Sequence, residues 1–109
     1  MESNKAKLKE FQFVISSILN GYIKESKIHN NQLQIVISSK EIYEVISKLH
    51  SNTALNFDQL IDITSLDYPE KEIRFEVVYL FLSTSFNFRL MVKVLVEEGE
   101  LLPSIVSIY

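Results

Sequence analysis

The sequence contains no cysteine, and only two glycines and two prolines among its 109 residues. Without cysteine the chain forms no disulfide, ligates no iron–sulfur cluster and binds no zinc through thiolates; the absence also fits a reducing cytoplasm. Two glycines are too few for a glycine-rich phosphate loop, and two prolines leave no low-complexity linker. No apolar run approaches the roughly 20 residues that cross a bilayer. The N-terminus, MESNKAKLKEFQF, is positively charged but has no cleavable apolar segment behind it, so the polypeptide is expected to be soluble by itself. Excess positive charge is missing too. A net charge of −3 and a pI near 5.3 argue against a nucleic-acid partner held by phosphate neutralisation, although a local basic face remains open.

What is present is enough for one folded domain. At 47% hydrophobic and 11% aromatic, the chain has the apolar side chains for a core. A domain of this size hides roughly 65% of its unfolded surface, so disorder is not expected.

Lys5 to Leu19 carries helical periodicity, with Leu8, Phe11, Val14, Ile15, Ile18 and Leu19 on one face. Phe13 points the opposite way, either as a partly exposed aromatic or as a contact for another protein. Gly21 ends the helix. Lys5, Lys7 and Lys9 stand at the wrong end for the helix dipole, so the first turn should fray. Tyr22–Ile28 and Gln32–Ile37 read as a hairpin turned by His29-Asn30-Asn31, since asparagine tolerates left-handed backbone. Leu33, Ile35 and Ile37 share one face of its second strand; His29 has no second ligand near it and reads as a solvated loop residue.

Ser38-x-x-Glu41 has the form of a capping box. Ile42, Val45, Ile46 and Leu49 follow at helical spacing, with Lys48 and His50 at the C-terminal end where positive charge is favoured and Asn52 supplying the turn out. The rest reads as sheet: Leu60–Leu66, Ile73–Leu82 and Phe86–Val96, rich in Ile, Val, Phe and Tyr. In the last strand Phe88, Leu90, Val92, Val94 and Val96 alternate with Arg89, Met91 and Lys93, so one face is buried and the other meets water or a partner. The strand Ile73–Leu82 is apolar on both faces past Val77, which suggests a central position. Glu97-Glu98-Gly99-Glu100 reads as a solvated loop, and Leu101–Tyr109 starts a further segment. The order helix, two strands, helix, three strands predicts a two-layer α+β fold, with both helices on one face of a mixed, largely antiparallel five-stranded sheet.

Little in the residues points to catalysis. No serine sits in a Gly-x-Ser-x-Gly elbow. Asp62 and Asp67, five apart on an extended strand, point to opposite faces and cannot pair without a bulge, which leaves a hydrolase reading weak. Asp67 is expected to bond backbone N–H groups at the turn around Tyr68 and Pro69. Asp62 interrupts an apolar strand and is expected to need a charge partner, Arg74 or Arg89, so Asp62→Asn should lower stability. Arg89, Met91 and Lys93 form the best local candidate for a protein interface, against a plainly solvated sheet face.

The segment Phe57–Tyr79, FDQLIDITSLDYPEKEIRFEVVY, is the most particular stretch: a strand, a reversal fixed by Pro69, and another strand. It resembles the C subunit of the proton-pumping NADH:quinone oxidoreductase, respiratory complex I, in Phe57, Leu60, Asp62, Thr64, Asp67, Tyr68, Pro69, Arg74, Phe75, Val77, Val78 and Tyr79. The likeness continues through Asn87-x-Arg89-Leu-x-Val-Lys93 and Leu102-Pro103-Ser104-Ile105, and so covers Phe57 to about Ser107; the first half matches in layout. Met91 stands where the family commonly has arginine, which weakens a basic contact there, and Tyr109 where tryptophan is common. The family's Glu-Arg-Glu signature would follow Pro103-Ser104, so residues 1–109 are expected to be the N-terminal part of a longer subunit whose C-terminal extension is missing.

The resemblance implies a non-catalytic structural subunit of the hydrophilic arm, with Asp62, Asp67, Tyr68, Pro69 and Arg74 in structural roles. It adds Pro103, Ile105 and Tyr109 to the candidate contacts Phe13, Arg89, Met91 and Lys93. It implies no cofactor or metal in this chain, with NADH, FMN, the iron–sulfur clusters and quinone bound by other subunits. It implies packing against subunits D and B, and a peripheral, indirect attachment on the cytoplasmic side of a bacterial inner membrane or the matrix side of a mitochondrial one. The equivalent subunit of a related membrane-bound hydrogenase, and a free-standing α+β protein-binding module, are the alternatives.

Overall fold

Leu8, Ile15 and Leu19 recur at intervals that a 3.6-residue period places on one stripe, and in the computed structural model of the chain Glu2–Ile18 form helix α1 with that stripe buried. The structure describes residues 2–30, 32–53, 55–67 and 75–96, with side chains described throughout these ranges except at 2–5, 66–67 and 75. Phe11, Val14 and Ile18 pack against the same core as the buried stripe. The helix ends because Gly21 takes φ +90°, a left-handed conformation that lets the Tyr22 N–H reach the Leu19 carbonyl at 2.9 Å.

Strands β1 (Ile23–His29) and β2 (Gln32–Ser38) form the expected antiparallel hairpin, with Asn30 in the left-handed region at φ 51°. His29 closes the ladder opposite Gln32 and is exposed. Beyond β2 the expected capping box does not form. A 3₁₀ turn, Ser39–Glu41, intervenes before helix α2 (Ile42–Ser51), so Ser38 and Glu41 no longer occupy the first and fourth positions of one helix start, and neither side chain caps a backbone N–H. Ile42, Val45, Ile46 and Leu49 are buried as their spacing requires. Asn52 does turn the chain, but from extended backbone: its main-chain oxygen accepts the Leu55 and Asn56 N–H groups, and the positive φ falls on Asn56.

The remaining strands are β3 (Gln59–Asp67), β4 (Phe75–Ser83) and β5 (Phe88–Val96), and the sheet runs β1-β2-β5-β4-β3. Among the described strands only β2 and β5 pair in parallel. This is the expected α+β architecture with a mixed five-stranded sheet. Strand β4 lies inside the sheet, flanked by β5 and β3 as its doubly apolar character suggests, and β5 is the middle strand of the five. Alternation along β5 reports which of its faces is covered, not how far it lies from the edge. The core lies between the helices and the face carrying Leu33, Ile35, Ile37, Phe81, Leu90, Val92 and Val94, all fully buried. Phe11 of α1 stacks on Phe88 with ring centroids 4.1 Å apart, fixing α1 over the start of β5.

Candidate protein-docking face

Period-two geometry sends the alternate residues of every strand to the side away from the helices. Ladder partners then set them in rows across the sheet. One row is Lys27, Gln34, Met91, Leu80 and Asp62; the next is Glu25, Val36, Lys93, Val78 and Thr64. The middle of this face is largely apolar, built from Val36, Val78, Leu80, Leu82, Met91 and Leu95, each half-buried by its neighbours within the sheet. Charges lie at its edges, with Glu25 and Lys27 on β1 and Asp62 on β3, and also at its centre on β5 and β4. Lys93 reaches Glu76 at 3.9 Å, and a cleft of about 210 Å³ runs between that pair and the Glu25 and Lys27 side of β1. A half-buried apolar surface crossed by one ion pair, with further charges along its edges, offers the mixed chemistry of a protein interface. No described element packs on it.

Arg89 and Met91 stand on this face as expected, Arg89 exposed near its end. Lys93 is there too but is not a free cation, because Glu76 answers it. Sequence reasoning missed Val36, Val78, Leu80, Leu82 and Leu95. Their signal is the doubly apolar character of β4, which a place in the middle of the sheet would explain equally well. Phe13 is 75% exposed on the outer side of α1, on the other side of the molecule from this face, so the structure does not bring it together with Arg89.

The expected Asp62–Arg89 pair does not form. Asp62 lies on the edge strand β3 just past a bulge at Leu60/Asp62, is exposed, and accepts a hydrogen bond from Thr64 Oγ1 at 3.2 Å. Strand β4 separates it from Arg89. The other expected partner, Arg74, lies outside the described residues, and the exposed position of Asp62 leaves its carboxylate in contact with water. The Asp67 side chain, and Tyr68, Pro69, Arg74, Pro103, Ile105 and Tyr109, lie outside the described residues.

A second concavity, of about 600 Å³, opens at the end of the sheet between α1 and the turns at Asn30 and at residues 84–87. The 84–87 turn is held from outside. Asp58 accepts the Thr84 hydroxyl at 2.6 Å and the Thr84 N–H at 2.9 Å, and Asn56 Nδ2 donates to Ser85 Oγ at 2.6 Å. Those bonds, the hydroxyl's first and the backbone N–H's next, hold the Asp58 carboxyl below its ordinary pKa. At the opposite end the Tyr22 hydroxyl donates to Glu44 at 2.7 Å, which raises its pKa; burial raises that of Tyr79. Among the described residues no group of three or more His, Asp or Glu side chains could hold a metal, and no helix is long and apolar enough to cross a membrane.

Comparison with known proteins gives this arrangement a context. A family model described as the respiratory-chain NADH dehydrogenase 30 kDa subunit matches residues 35–109. The mitochondrial NADH-ubiquinone oxidoreductase 30.4 kDa subunit of Neurospora crassa is 36% identical over 108 residues, covering 99% of this chain and 38% of that one. The C subunit of the NADH-quinone oxidoreductase of Rhodospirillum rubrum is 33% identical over 108 residues, covering 99% of this chain and 51% of its own. The chain therefore spans between about two fifths and half of the length of these relatives. Among solved structures, a chain of the membrane-bound sulfane sulfur reductase, an archaeal respiratory membrane complex, superposes with a TM-score of 0.75 at 22% identity, covering 92% of this chain and 59% of that one, a likeness of fold.

Proposed function

The chain belongs to the family of the 30 kDa, or C, subunit of the respiratory-chain NADH dehydrogenase, and from that membership we propose that it is a non-catalytic structural subunit in the peripheral arm of a proton-pumping NADH:quinone oxidoreductase. Its work is positional. Electron transfer from NADH to quinone depends on groups held within fractions of an ångström, and a rigid sheet clamped between neighbours supplies that constancy. Subunits D and B are the neighbours, on the cytoplasmic or matrix side of the membrane. Flavin, iron–sulfur clusters and quinone are held by other chains of the assembly. The observation that carries this reading is the open sheet face, where Val36, Val78, Leu80, Met91 and Leu95 surround the Lys93–Glu76 pair with no described layer over them. The fold shared with a chain of an archaeal respiratory membrane complex favours one second reading, the equivalent subunit of a related membrane-bound assembly.

A tagged copy of the full-length gene product, expressed in its own cells, tests the proposal. Membranes are resolved on a native gel stained for NADH-dependent dye reduction. Migration of the tag with the active high-mass band is the expected result. A tag that stays in a small soluble species, while the active band runs elsewhere, refutes the subunit role and leaves a free-standing binding module.

A further inference from the structure

The concavity at the end of the sheet is separate from the middle of the open face and has its own chemistry. Its floor is aromatic: Phe11 stacks on Phe88 at 4.1 Å and meets Phe86 edge-on at 5.6 Å. Phe88 is buried, but Phe86 is 51% exposed at the tip of the turn, with one edge on Phe11 and the rest of its ring open to a partner. The turn that presents it is fixed on both sides. Asp58 and Asn56 tie down Thr84 and Ser85, and Asn87 takes the left-handed backbone at φ 51°. The aromatic edge is thus preorganised, and little ordering entropy is lost when something binds it.

The margin is cationic. Lys7 and Arg89 line the concavity, both are exposed, and neither makes an ion pair with a described residue. No Asp or Glu stands among the described residues lining it, although the chain as a whole carries a net charge of −3. Two cations with no ion pair among the described residues, beside an aromatic floor on an otherwise acidic protein, form a local complement to negative charge. The amide side chains of Asn30, Gln32 and Asn87 supply donors and acceptors suited to a peptide backbone.

We propose that this concavity is a second docking site, and that its occupant is an acidic segment of a neighbouring protein, with carboxylates on Lys7 and Arg89 and an apolar side chain against Phe11 and Phe86. The inference rests on the reading of the chain as a docked subunit and adds to it the place and chemistry of one contact. Phe86 is the anchor of this site, and Arg89 links it to the sheet face.

Photo-cross-linking in the full-length protein, in its own cells, tests the site. p-Benzoylphenylalanine is placed at Phe86, and in a separate strain at Met91. The expected adduct at position 86 is a peptide from another protein of the assembly, with Asp or Glu beside an apolar residue. Its yield falls by about tenfold in the Lys7→Glu/Arg89→Glu background and survives in Lys7→Arg/Arg89→Lys. Immunoblot abundance confirms that each protein accumulates, and Arg89→Glu alone replaces the double reversal if that one does not. An adduct to lipid, to a second copy of this chain, or to a neutral or basic segment overturns the proposal, as does no adduct or a yield indifferent to charge. An adduct at Met91 with none at Phe86 removes this site while the docked-subunit reading stands. Adducts at neither position, with the tag in a small soluble species, remove both.

Discussion

Replacing Met91 and Val92 separately by aspartate separates the two faces of the sheet on a single strand. Val92 is fully buried against the helices, so an aspartate there loses about 1.5–3 kcal/mol of apolar transfer. It also buries a carboxylate without a partner, adding several kcal/mol more. The sum reaches the roughly 5–15 kcal/mol that holds a typical domain together, and Val92→Asp should not fold. Met91, one residue away, lies on the open face between Gln34 and Leu80. A carboxylate there stays hydrated, and the loss is limited to half-buried contacts and strand preference, about 1 kcal/mol, or about 4–8 °C in melting temperature for a domain near this size. In the assembled complex the same charge would sit among the apolar side chains of an interface, where a central contact is worth about 2 kcal/mol or more, roughly thirtyfold in affinity. Urea denaturation of the full-length variants, read by circular dichroism, gives the first comparison, and the native gel gives the second. A Met91→Asp protein that unfolds like Val92→Asp would mean that the face is covered within the chain. One that folds and enters the high-mass band as wild type would mean that the face docks nothing.

Three further outcomes follow from local geometry. Because hydrogen bonds from Thr84 hold the Asp58 pKa low in the folded state, its contribution is complete above the unfolded carboxylate pKa near 4 and is lost as pH falls through the lower folded value. The gap in urea midpoint between wild type and Asp58→Ala should therefore be constant above about pH 5 and close in acid; a gap independent of pH contradicts the clamp. Gly21→Ala should lower stability by about 1 kcal/mol through backbone strain at φ +90° alone, since no atom lies within 4 Å of the added methyl. An unchanged melting temperature would show that the helix end relaxes. Asp62→Asn should change stability by no more than about 0.5 kcal/mol, as for an exposed edge residue, and a loss of about 2 kcal/mol in a denaturant titration would restore a charge partner for it.

The asparagines and glycine at the bends show why so much of the chain is legible. Gly21 takes positive φ because it has no Cβ to clash, and Asn30 because a short polar side chain offsets that clash locally, rules that act within a few residues and need no knowledge of the fold. The capping box misleads for the complementary reason. Ser38 and Glu41 satisfy the pattern, but β2 delivers the chain to α2 through a 3₁₀ turn, and the register of a helix start depends on what precedes it. The expected Asp62–Arg89 pair fails because an apolar strand reads alike beside β5 and one strand further out, whereas β3 lies on the far side of β4 from Arg89.

The sequence by itself determined the order of elements, the helical stripes, the inward face of β5 and, through its resemblance, the family, since all of these are written in spacing and residue type along the chain. Tertiary structure alone decided which strand is central, that Leu80, Met91, Val36 and Val78 meet in one apolar patch, and that Phe11, Phe86, Lys7 and Arg89 share one concavity. Those positions come from separate segments of the chain and are joined by ladder register and helix packing. Register is set by the sum of many weak cross-strand contacts, which no single segment of the sequence contains.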